Sequence, residues 1–290
     1  MILVTGATGQ LGHRIVQRLA ARLPRAGAGQ LAVSVRDPAR AMHLAQRGIE
    51  VRGGNFDEPG SLLAAFSGID RLVLISTDGP KEARIAQHRN AIESARKAGV
   101  KHIFYTSFLD SAENSPSEFA QVHAATETFL AASGVAHTIL RNGLYADFLP
   151  MTFAAALQSE VLRLPAGQGK VSFISRDELA EAIAGAALAP RLEKGLYELT
   201  GQTSHEFAEI AAKVAATTGR ELRYEAIGED DYTQALERAQ WPMWLARAMA
   251  SMYTAVSQGR FEHCSNDFAM LVGHPPKSID CLVAEFFRIP

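Results

Sequence analysis

The opening of the chain constrains its fold most, because a short apolar segment runs directly into three spaced glycines. Residues 1–5 have the pattern of a buried strand, and residues 10–23 that of an amphipathic helix. Glycines at such a turn let the backbone approach a pyrophosphate and the helix pack against the strand, and a helix N-terminus attracts phosphate. The Gly-x-x-Gly-x-x-Gly spacing therefore predicts a dinucleotide-binding loop. Its expected cofactor contacts are Gly6, Thr8, Gly9, Gln10, Leu11 and Gly12.

Apolar strand patterns and amphipathic helix patterns alternate regularly over the first half of the chain. This alternation predicts βαβ units and a Rossmann-type, doubly wound parallel sheet in an α/β fold. After about residue 145 helical patterns dominate, which predicts a smaller, mostly helical C-terminal domain. We expect residues 1–145 to bind the nucleotide and residues 146–290 to form a substrate-binding cap, with segments such as 171–200 returning to the first domain. Predicted strands are 1–5, 31–35, 49–52, 71–75, 102–106, 136–141, 170–174, 196–199 and 222–224; predicted helices are 10–23, 39–46, 58–66, 81–98, 117–133 and 241–257.

Composition and charge exclude several classes of protein. The 290 residues carry 29 Lys and Arg against 31 Asp and Glu, a net charge of −2, so no nucleic-acid-binding surface is expected. No apolar run reaches the roughly 20 residues of a membrane span, and we expect no signal peptide before the first strand. Two cysteines, Cys264 and Cys281, suit a reducing cytoplasm. Neither Cys-x-x-Cys nor His-x-x-x-His occurs, so no metal site is expected.

The end of the second predicted strand indicates which nucleotide binds. In dinucleotide folds an acidic residue at this place binds the ribose 2′-hydroxyl, and an arginine accommodates a 2′-phosphate. Arg36 follows the strand directly and its planar guanidinium suits a phosphate, whereas Asp37 before Pro38 is placed to cap the next helix. We therefore predict NADP(H), with Arg36 on the 2′-phosphate. In the alternative, Asp37 binds the ribose and Arg36 is a surface charge.

Further cofactor contacts are expected where the other parallel strands end, because ligands of doubly wound sheets bind along that edge. Phe56 is placed to lie against the adenine, with Asn55 or Asp57 bonding the adenine amino group. Loop capping is the alternative role for these polar side chains. The remaining predicted contacts are Ser76 and Thr77 after the fourth strand, Thr106 and Ser107 after the fifth, and Asn142 and Gly143 after the sixth.

The tyrosine–lysine pair that is typical of short-chain reductases is missing. In that pair a lysine lowers the pKa of a tyrosine four residues before it, and the tyrosine donates a proton. None of the six tyrosines here has a lysine at this spacing. In the helix where the pair should stand, His123 and Glu127 share one face, and a close Glu127 would raise the pKa of a proton-donating histidine. His123 is therefore a candidate catalytic residue, with a structural pair as the alternative.

Motifs distributed over essentially the whole chain resemble one family, the NmrA-like atypical short-chain dehydrogenases. The similarity is strongest to the bacterial quinone reductases and triphenylmethane reductases of that family. The resemblance implies a two-domain protein that binds NADPH, with Leu140, Arg141 and Tyr145 touching the cofactor and Phe173 near its nicotinamide end. The motifs that carry the resemblance are 5–12, 35–38, 87–90, 98–103, 105–107 and 140–145.

The resemblance also implies an NADPH-dependent reductase that transfers hydride directly to quinones or triphenylmethane dyes. Such flat, electron-poor acceptors need alignment more than a strong acid. Asn142 is placed to bond the nicotinamide carboxamide, and Tyr145 to contact the substrate or donate a proton, so both are candidate catalytic residues. Aromatic faces suit such acceptors. We expect two or three of the following residues to line the pocket: Phe108, Tyr145, Phe148, Phe153, Trp241, Trp244 and Tyr253.

Two other functions stay open at this point. The chain could be a non-enzymatic NADP(H) sensor, since it lacks the usual proton relay. A sugar epimerase or an isoflavone-type reductase needs an acid–base group at the substrate carbon, and the missing pair and the lack of any lysine between Lys101 and Lys170 disfavour both. The expected partner is a small aromatic molecule rather than nucleic acid or a membrane, and the protein is expected to be a monomer or a homodimer.

Overall fold

The computed structural model describes residues 1–23 and 29–288. Residues 26–28 of the 26–29 stretch, which the sequence suggests is a flexible link, lie outside the described residues. The strands are β1 (Ile2–Thr5), β2 (Leu31–Val35), β3 (Glu50–Gly53), β4 (Arg71–Leu74), β5 (His102–Phe108), β6 (Ala136–Asn142), β7 (Val161–Leu164), β8 (Lys170–Val171), β9 (Leu196–Leu199), β10 (His205–Glu206) and β11 (Arg223–Ala226). The helices are α1 (Gln10–Arg22), α2 (Met42–Ala45), α3 (Pro59–Phe66), α4 (Lys81–Lys97), α5 (Glu118–Ser133), α6 (Leu149–Ala154), α7 (Ala156–Ser159), α8 (Arg176–Leu188), α9 (Phe207–Thr218), α10 (Glu229–Arg238), α11 (Met243–Ser257), α12 (Asp267–Val272) and α13 (Ile279–Phe287), with 3₁₀ turns at Pro38–Ala41 and Ala146–Phe148.

The central sheet has seven strands in the order β3-β2-β1-β4-β5-β6-β9. β1 runs parallel to both of its neighbours, with Val4 opposite Val33 of β2 and Val73 of β4. All four residues of β1 are buried, as expected for a strand with helices on both faces of its sheet. The order reverses direction at β1 and β4, which is the arrangement of doubly wound nucleotide-binding sheets. The predicted fold class is confirmed, and the C-terminal part is mostly helical.

One predicted strand is shorter than expected. The apolar alternation over 170–174 predicts five strand residues, but only Lys170 and Val171 pair with another strand, β10. Ser172 leaves the strand because its N–H donates to the Phe261 carbonyl (3.1 Å) and its hydroxyl donates to the His263 carbonyl (2.8 Å). Ile174 makes an isolated bridge with Tyr145. Long-range partners therefore replaced the expected ladder.

The chain forms two compact units. The first unit contains Met1–Ser107, Val122–Arg141 and Arg176–Tyr197, and the second contains Phe108–Gln121, Asn142–Ser175 and Glu198–Pro290. The core of the first unit packs apolar side chains from the sheet and from α3 and α4, among them Leu3, Leu72, Ile103, Phe66 and Ile92. The core of the second unit is richer in aromatic rings, among them Phe153, Phe207, Tyr253 and Phe261. The assignment of residues 1–145 to nucleotide binding and 146–290 to substrate binding stays a prediction.

In the described part of the chain, no helix combines the length and the apolar composition that crossing a bilayer requires.

Candidate active site

Two positions of the glycine loop between β1 and α1 favour glycine, one because of its backbone conformation and one because of the space around it. Gly6 adopts a φ of 61°, in the left-handed region. Its carbonyl accepts the Gly9 N–H at 2.9 Å, which closes the turn. A Cβ on Gly12 would lie 2.2 Å from the same Gly6 carbonyl oxygen. The loop and the helix therefore approach each other as closely as the predicted phosphate-binding turn requires.

The first backbone N–H groups of α1 are not capped by a side chain. The His13 N–H makes the first helical bond, to the Gly9 carbonyl at 2.9 Å, so the N–H groups of Gln10, Leu11 and Gly12 precede the helical ladder. No side chain caps the helix at Gly9. Uncapped N–H groups at the positive end of a helix suit a diphosphate, so the geometry of the chain fits the predicted nucleotide.

The two charged residues that follow β2, Arg36 and Asp37, have different surroundings. The Asp37 carboxylate accepts the Ala39 N–H at 3.0 Å, and Asp37 is the N-cap of the 3₁₀ turn that Pro38 begins. The predicted capping role of Asp37 is therefore confirmed. Arg36 is exposed, which leaves its guanidinium accessible to a phosphate. Its assignment to the 2′-phosphate stays a prediction.

Phe56 lies on a loop whose polar residues bond to each other and to α4. Asn55 donates to Glu58 at 3.0 Å and accepts the Asp57 N–H at 3.1 Å. Both Asp57 oxygens accept from Gln87, at 3.0 and 3.2 Å. The Phe56 ring is half-buried against the core of the first unit. The local bonds support the loop-capping role for Asn55 and Asp57, and the contact between Phe56 and adenine stays a prediction.

The residues after β4 are held by a buried polar network. The Ser76 N–H donates to Thr106 Oγ1 at 3.0 Å, and the Thr77 N–H donates to His88 Nε2 at 3.0 Å. Arg84 Nη2 donates to Ser76 Oγ at 2.8 Å. Arg84 and His88 come from α4, where the spacing i, i+4 places both on one face. Arg84 and His88 were not among the predicted site residues, although their helical spacing indicates two polar side chains directed to one side.

His123 belongs to the same buried network. It is 6 % exposed, Arg84 Nη2 lies 3.3 Å from its Nε2, and the Tyr105 hydroxyl lies 2.8 Å from its Nδ1. Burial and the Arg84 charge lower the pKa of His123 well below its usual value. The rise in this pKa that was expected if Glu127 lay close does not occur, because desolvation and the neighbouring Arg84 cation both disfavour the imidazolium. His123 is neutral near pH 7.

Glu127 forms its ion pair with Arg141 and not with His123. Arg141 contacts its carboxylate with two nitrogens, Nε at 3.0 Å and Nη2 at 2.8 Å, and the Ser107 hydroxyl donates to it at 2.6 Å. This fork-to-fork pair connects α5 to the ends of β5 and β6. The side chains of Ser107 and Arg141 thus make internal contacts, and Leu140 is fully buried. Cofactor contacts by these residues and by Thr106 stay predictions.

The second unit contains the polar residues that follow β6. The Asn142 amide nitrogen donates to the Tyr145 hydroxyl at 3.2 Å. Asn142 Oδ1 is buried and has no hydrogen-bond partner among the described residues. A buried acceptor of this kind is costly unless a ligand or water satisfies it. Gly143 follows with little space for a side chain, because a Cβ there would lie 3.1 Å from the Ser172 carbonyl and 3.2 Å from the Leu199 carbonyl.

The aromatic candidates of the second unit fall into three groups. Phe153 and Tyr253 are buried in its core, as is Phe173, whose ring packs edge-on against Phe207 at 6.0 Å. Tyr145 and Phe148 instead form a parallel stack, with ring centroids 5.9 Å apart and planes within 6°. Phe148 is 43 % exposed, so this stack presents an aromatic surface. Phe108, Trp241 and Trp244 are half-buried.

Among residues 1–23 and 29–288, no three His, Cys, Asp or Glu side chains come together as a metal site would require.

Comparison with known proteins decides the family. The family model described as the NmrA-like family matches residues 1–273. The chain belongs to the NmrA-like family. Among the relatives of this NmrA-like protein is quinone oxidoreductase 2 of Escherichia coli (strain K12), which is 36 % identical over 289 residues, covering 100 % of this chain and 99 % of the relative.

Solved structures of similar proteins agree with this assignment. The NADPH-dependent quinone oxidoreductase of Escherichia coli, in complex with NADPH, aligns with this NmrA-like chain at a TM-score of 0.93 and 36 % identity, covering 99 % of this chain and 100 % of that one. The Citrobacter sp. triphenylmethane reductase in complex with NADP(H) aligns at a TM-score of 0.91 and 34 % identity, again over 99 % and 100 %.

Proposed function

We propose that this chain is an NADPH-dependent reductase that transfers hydride directly to quinones or similar conjugated aromatic acceptors, including triphenylmethane dyes. The observation that carries nucleotide binding is the contact between Gly12 and the Gly6 carbonyl, which leaves no room for a side chain. The reductase chemistry is supported by the similarity of this chain to a quinone oxidoreductase and to a triphenylmethane reductase. When bound, NADPH supplies the hydride that reduces the acceptor.

The chain's own residues bind the cofactor, orient it towards the acceptor and exclude water from the site. Backbone N–H groups at the start of α1 hold the diphosphate, and Arg36 holds the 2′-phosphate as a charge-assisted partner. The buried Asn142 Oδ1 accepts a hydrogen bond from the nicotinamide carboxamide, which satisfies the atom that is unpartnered among the described residues. The Tyr145 hydroxyl contacts the acceptor and supplies a hydrogen bond or proton to the reduced oxygen of a quinone.

Direct transfer is supported by the state of His123. His123 Nε2 accepts from Arg84 Nη2, and Nδ1 faces the Tyr105 hydroxyl, so the imidazole has no excess proton to give and His123 belongs to the buried network. Quinones and cationic dyes accept hydride without prior protonation, so the site needs alignment rather than a strong acid. Free, exposed Cys264 and Cys281 fit a reducing compartment such as the cytoplasm.

The first test is the oxidation of NADPH with and without a small quinone. The wild-type protein is expected to consume NADPH only when the quinone is present. Asn142→Ala removes the carboxamide partner and is expected to lower kcat/KM by about tenfold, the loss expected for one buried hydrogen bond. Nucleotide binding without quinone-dependent oxidation would contradict the enzyme and support a sensor. An unchanged kcat/KM in Asn142→Ala would remove the role of Asn142.

Arg36 decides the preference between the two nicotinamide nucleotides. Arg36→Ala is expected to weaken NADPH binding by about tenfold while leaving NADH binding nearly unchanged, because only NADPH carries the 2′-phosphate. Arg47→Ala removes another exposed positive charge, eleven positions along the chain, and serves as the matched control. Dissociation constants from nucleotide fluorescence give the ratio. If wild-type protein binds NADH more tightly and Arg36→Ala keeps that ratio, the assignment of Arg36 is wrong.

A further inference from the structure

We propose that His88 is a positioning residue for the nucleotide: its imidazole fixes the chain after β4 so that the Ser76 and Thr77 hydroxyls are available to the nicotinamide half of NADPH. The inference rests on the proposed function. His88 lies on α4, and its Nε2 lies within hydrogen-bond distance of three groups on Ser76 and Thr77, two of the predicted cofactor contacts.

The hydrogen bonds allow only one tautomer of His88. The Thr77 N–H can only donate, so Nε2, at 3.0 Å, must be the unprotonated nitrogen. On the other side of the ring, the Thr126 hydroxyl donates to the Val122 carbonyl at 2.8 Å, so the Thr126 oxygen accepts the proton of His88 Nδ1, also at 2.8 Å. Thr126 therefore sets the tautomer that the Thr77 amide requires.

The surroundings also keep the ring neutral. His88 is fully buried and Arg84 is 5 % exposed. Burial, together with the Arg84 charge, lowers the pKa of His88 to about 3. Arg84 also contacts His123, whose neighbour Tyr105 lies edge-on to the His88 ring. An imidazolium would direct a second N–H at the Thr77 N–H, so only the neutral ring can hold this loop.

The single lone pair of Nε2 cannot bind the Thr77 N–H and both hydroxyls at once. The Thr77 N–H is the shortest approach, and the hydroxyls of Ser76 and Thr77 are both 3.2 Å away. One lone pair accepts one good hydrogen bond, so neither hydroxyl is firmly bound there. Arg84 Nη2 donates to Ser76 Oγ at 2.8 Å and occupies an acceptor site. The Ser76 hydroxyl itself donates to the Thr77 carbonyl over a long 3.4 Å contact, which a better-placed ligand oxygen would replace. Both residues are half-buried, and their hydroxyls suit ribose or phosphate oxygens.

Three variants test the role of His88 by nucleotide affinity. His88→Leu removes the acceptor, His88→Gln keeps an acceptor at the end of the side chain, and Thr126→Val removes the group that sets the tautomer. We expect His88→Leu to weaken NADPH binding by about tenfold, Thr126→Val to weaken it by a smaller factor, and His88→Gln to restore it to within about threefold of wild type. Binding of adenosine 2′,5′-bisphosphate, which lacks the nicotinamide half, is expected to stay unchanged in all three.

A second measurement needs no nucleotide. Nitrogen NMR of histidine-labelled wild-type protein is expected to show His88 protonated on Nδ1 alone from about pH 5 to about pH 8. An Nε2-protonated ring, or a titration in that range, would overturn the proposal. So would His88→Leu binding NADPH as wild type does, or losing adenosine 2′,5′-bisphosphate equally. If His88→Leu does not fold, Thr126→Val and the NMR tautomer decide. Wild-type protein that binds no NADPH would instead contradict the proposed function.

Discussion

Replacing Gly12 with alanine is expected to lower both the stability of the protein and its affinity for NADPH. The new Cβ would lie 2.2 Å from the Gly6 carbonyl oxygen, 2.7 Å from the Gly6 carbonyl carbon and 3.1 Å from the Ala7 Cα. All three are backbone atoms, so the overlap is relieved only by moving the loop away from α1. Overpacking of this kind costs about 1–3 kcal/mol, and the displaced loop no longer directs its N–H groups at the diphosphate.

Gly60→Ala is the control for Gly12→Ala, because it adds the same methyl group at a glycine that has open space around it. Gly60 in α3 has nothing within 4 Å of a built Cβ, so Gly60→Ala is expected to be neutral or slightly stabilising, as alanine favours helix. Chemical denaturation gives the free energy of unfolding, and fluorescence titration gives the NADPH dissociation constant. We expect Gly12→Ala to lose at least about tenfold in NADPH affinity. Wild-type stability and affinity in this variant would show that the loop does not lie against the helix as described.

The free energy of unfolding is expected to fall as the pH drops below about 6.5, because two buried histidines are neutral in the folded protein. Burial, together with Arg84, lowers the pKa of His88 from 6.5 to about 3 and that of His123 well below 6.5. In the unfolded chain both rings bind protons at their ordinary pKa. Acid therefore favours the unfolded state, by at most about 1.4 kcal/mol per pH unit for each histidine.

The pH window of this effect follows from the two pKa values of His88. The stabilisation by the neutral ring is complete above 6.5 and is lost as the pH falls towards about 3. His102, whose pKa is also lowered, mainly by burial, adds to the same trend. Asp70 acts only at lower pH, because its hydrogen bond to Lys101 lowers its pKa from 3.8 to about 2. Its contribution is present above 3.8 and decreases below that value.

Chemical denaturation from about pH 7.5 to about pH 4.5 tests this dependence. His88→Gln and His123→Gln are each expected to reduce the slope by the equivalent of one proton, even if they lower the stability at neutral pH. His43→Gln changes an exposed histidine and serves as the matched control for the substitution itself. The explanation is wrong if neither buried substitution alters the slope.

The fold was largely predictable because its signals are local. β2 has the predicted bounds and is buried along its whole length, since a nearly continuous apolar run indicates a strand that is covered on both faces. β9, at the edge of the sheet, also has the predicted bounds, and its buried and half-buried residues alternate. α8 had no comparable signal: it is rich in alanine, and eight of its thirteen residues are buried. A helix buried around most of its circumference has no polar stripe, so its hydrophobic periodicity is weak.

The site was predictable where one short stretch forms it. The glycine loop and the Asp37 cap depend on neighbouring residues, and their geometry agrees with the prediction. The His123–Glu127 spacing was misleading, because the partners of these residues come from other elements. Glu127 pairs with Arg141, and His123 contacts Arg84, which lies 39 positions earlier. Helical spacing shows which side chains share a face, but not what the fold places opposite that face.

The first unit is assembled from three stretches that are separated along the chain. Its last stretch includes α8, from which Asp177 and Glu181 form ion pairs with Arg18 and Arg22 of α1 at 2.6 and 3.2 Å. During synthesis, α1 must therefore wait for residues about 160 positions downstream before these ion pairs can form. A polypeptide cut near residue 145 would contain every predicted phosphate ligand but would lack α8, so Arg18 and Arg22 of α1 would lose their carboxylate partners.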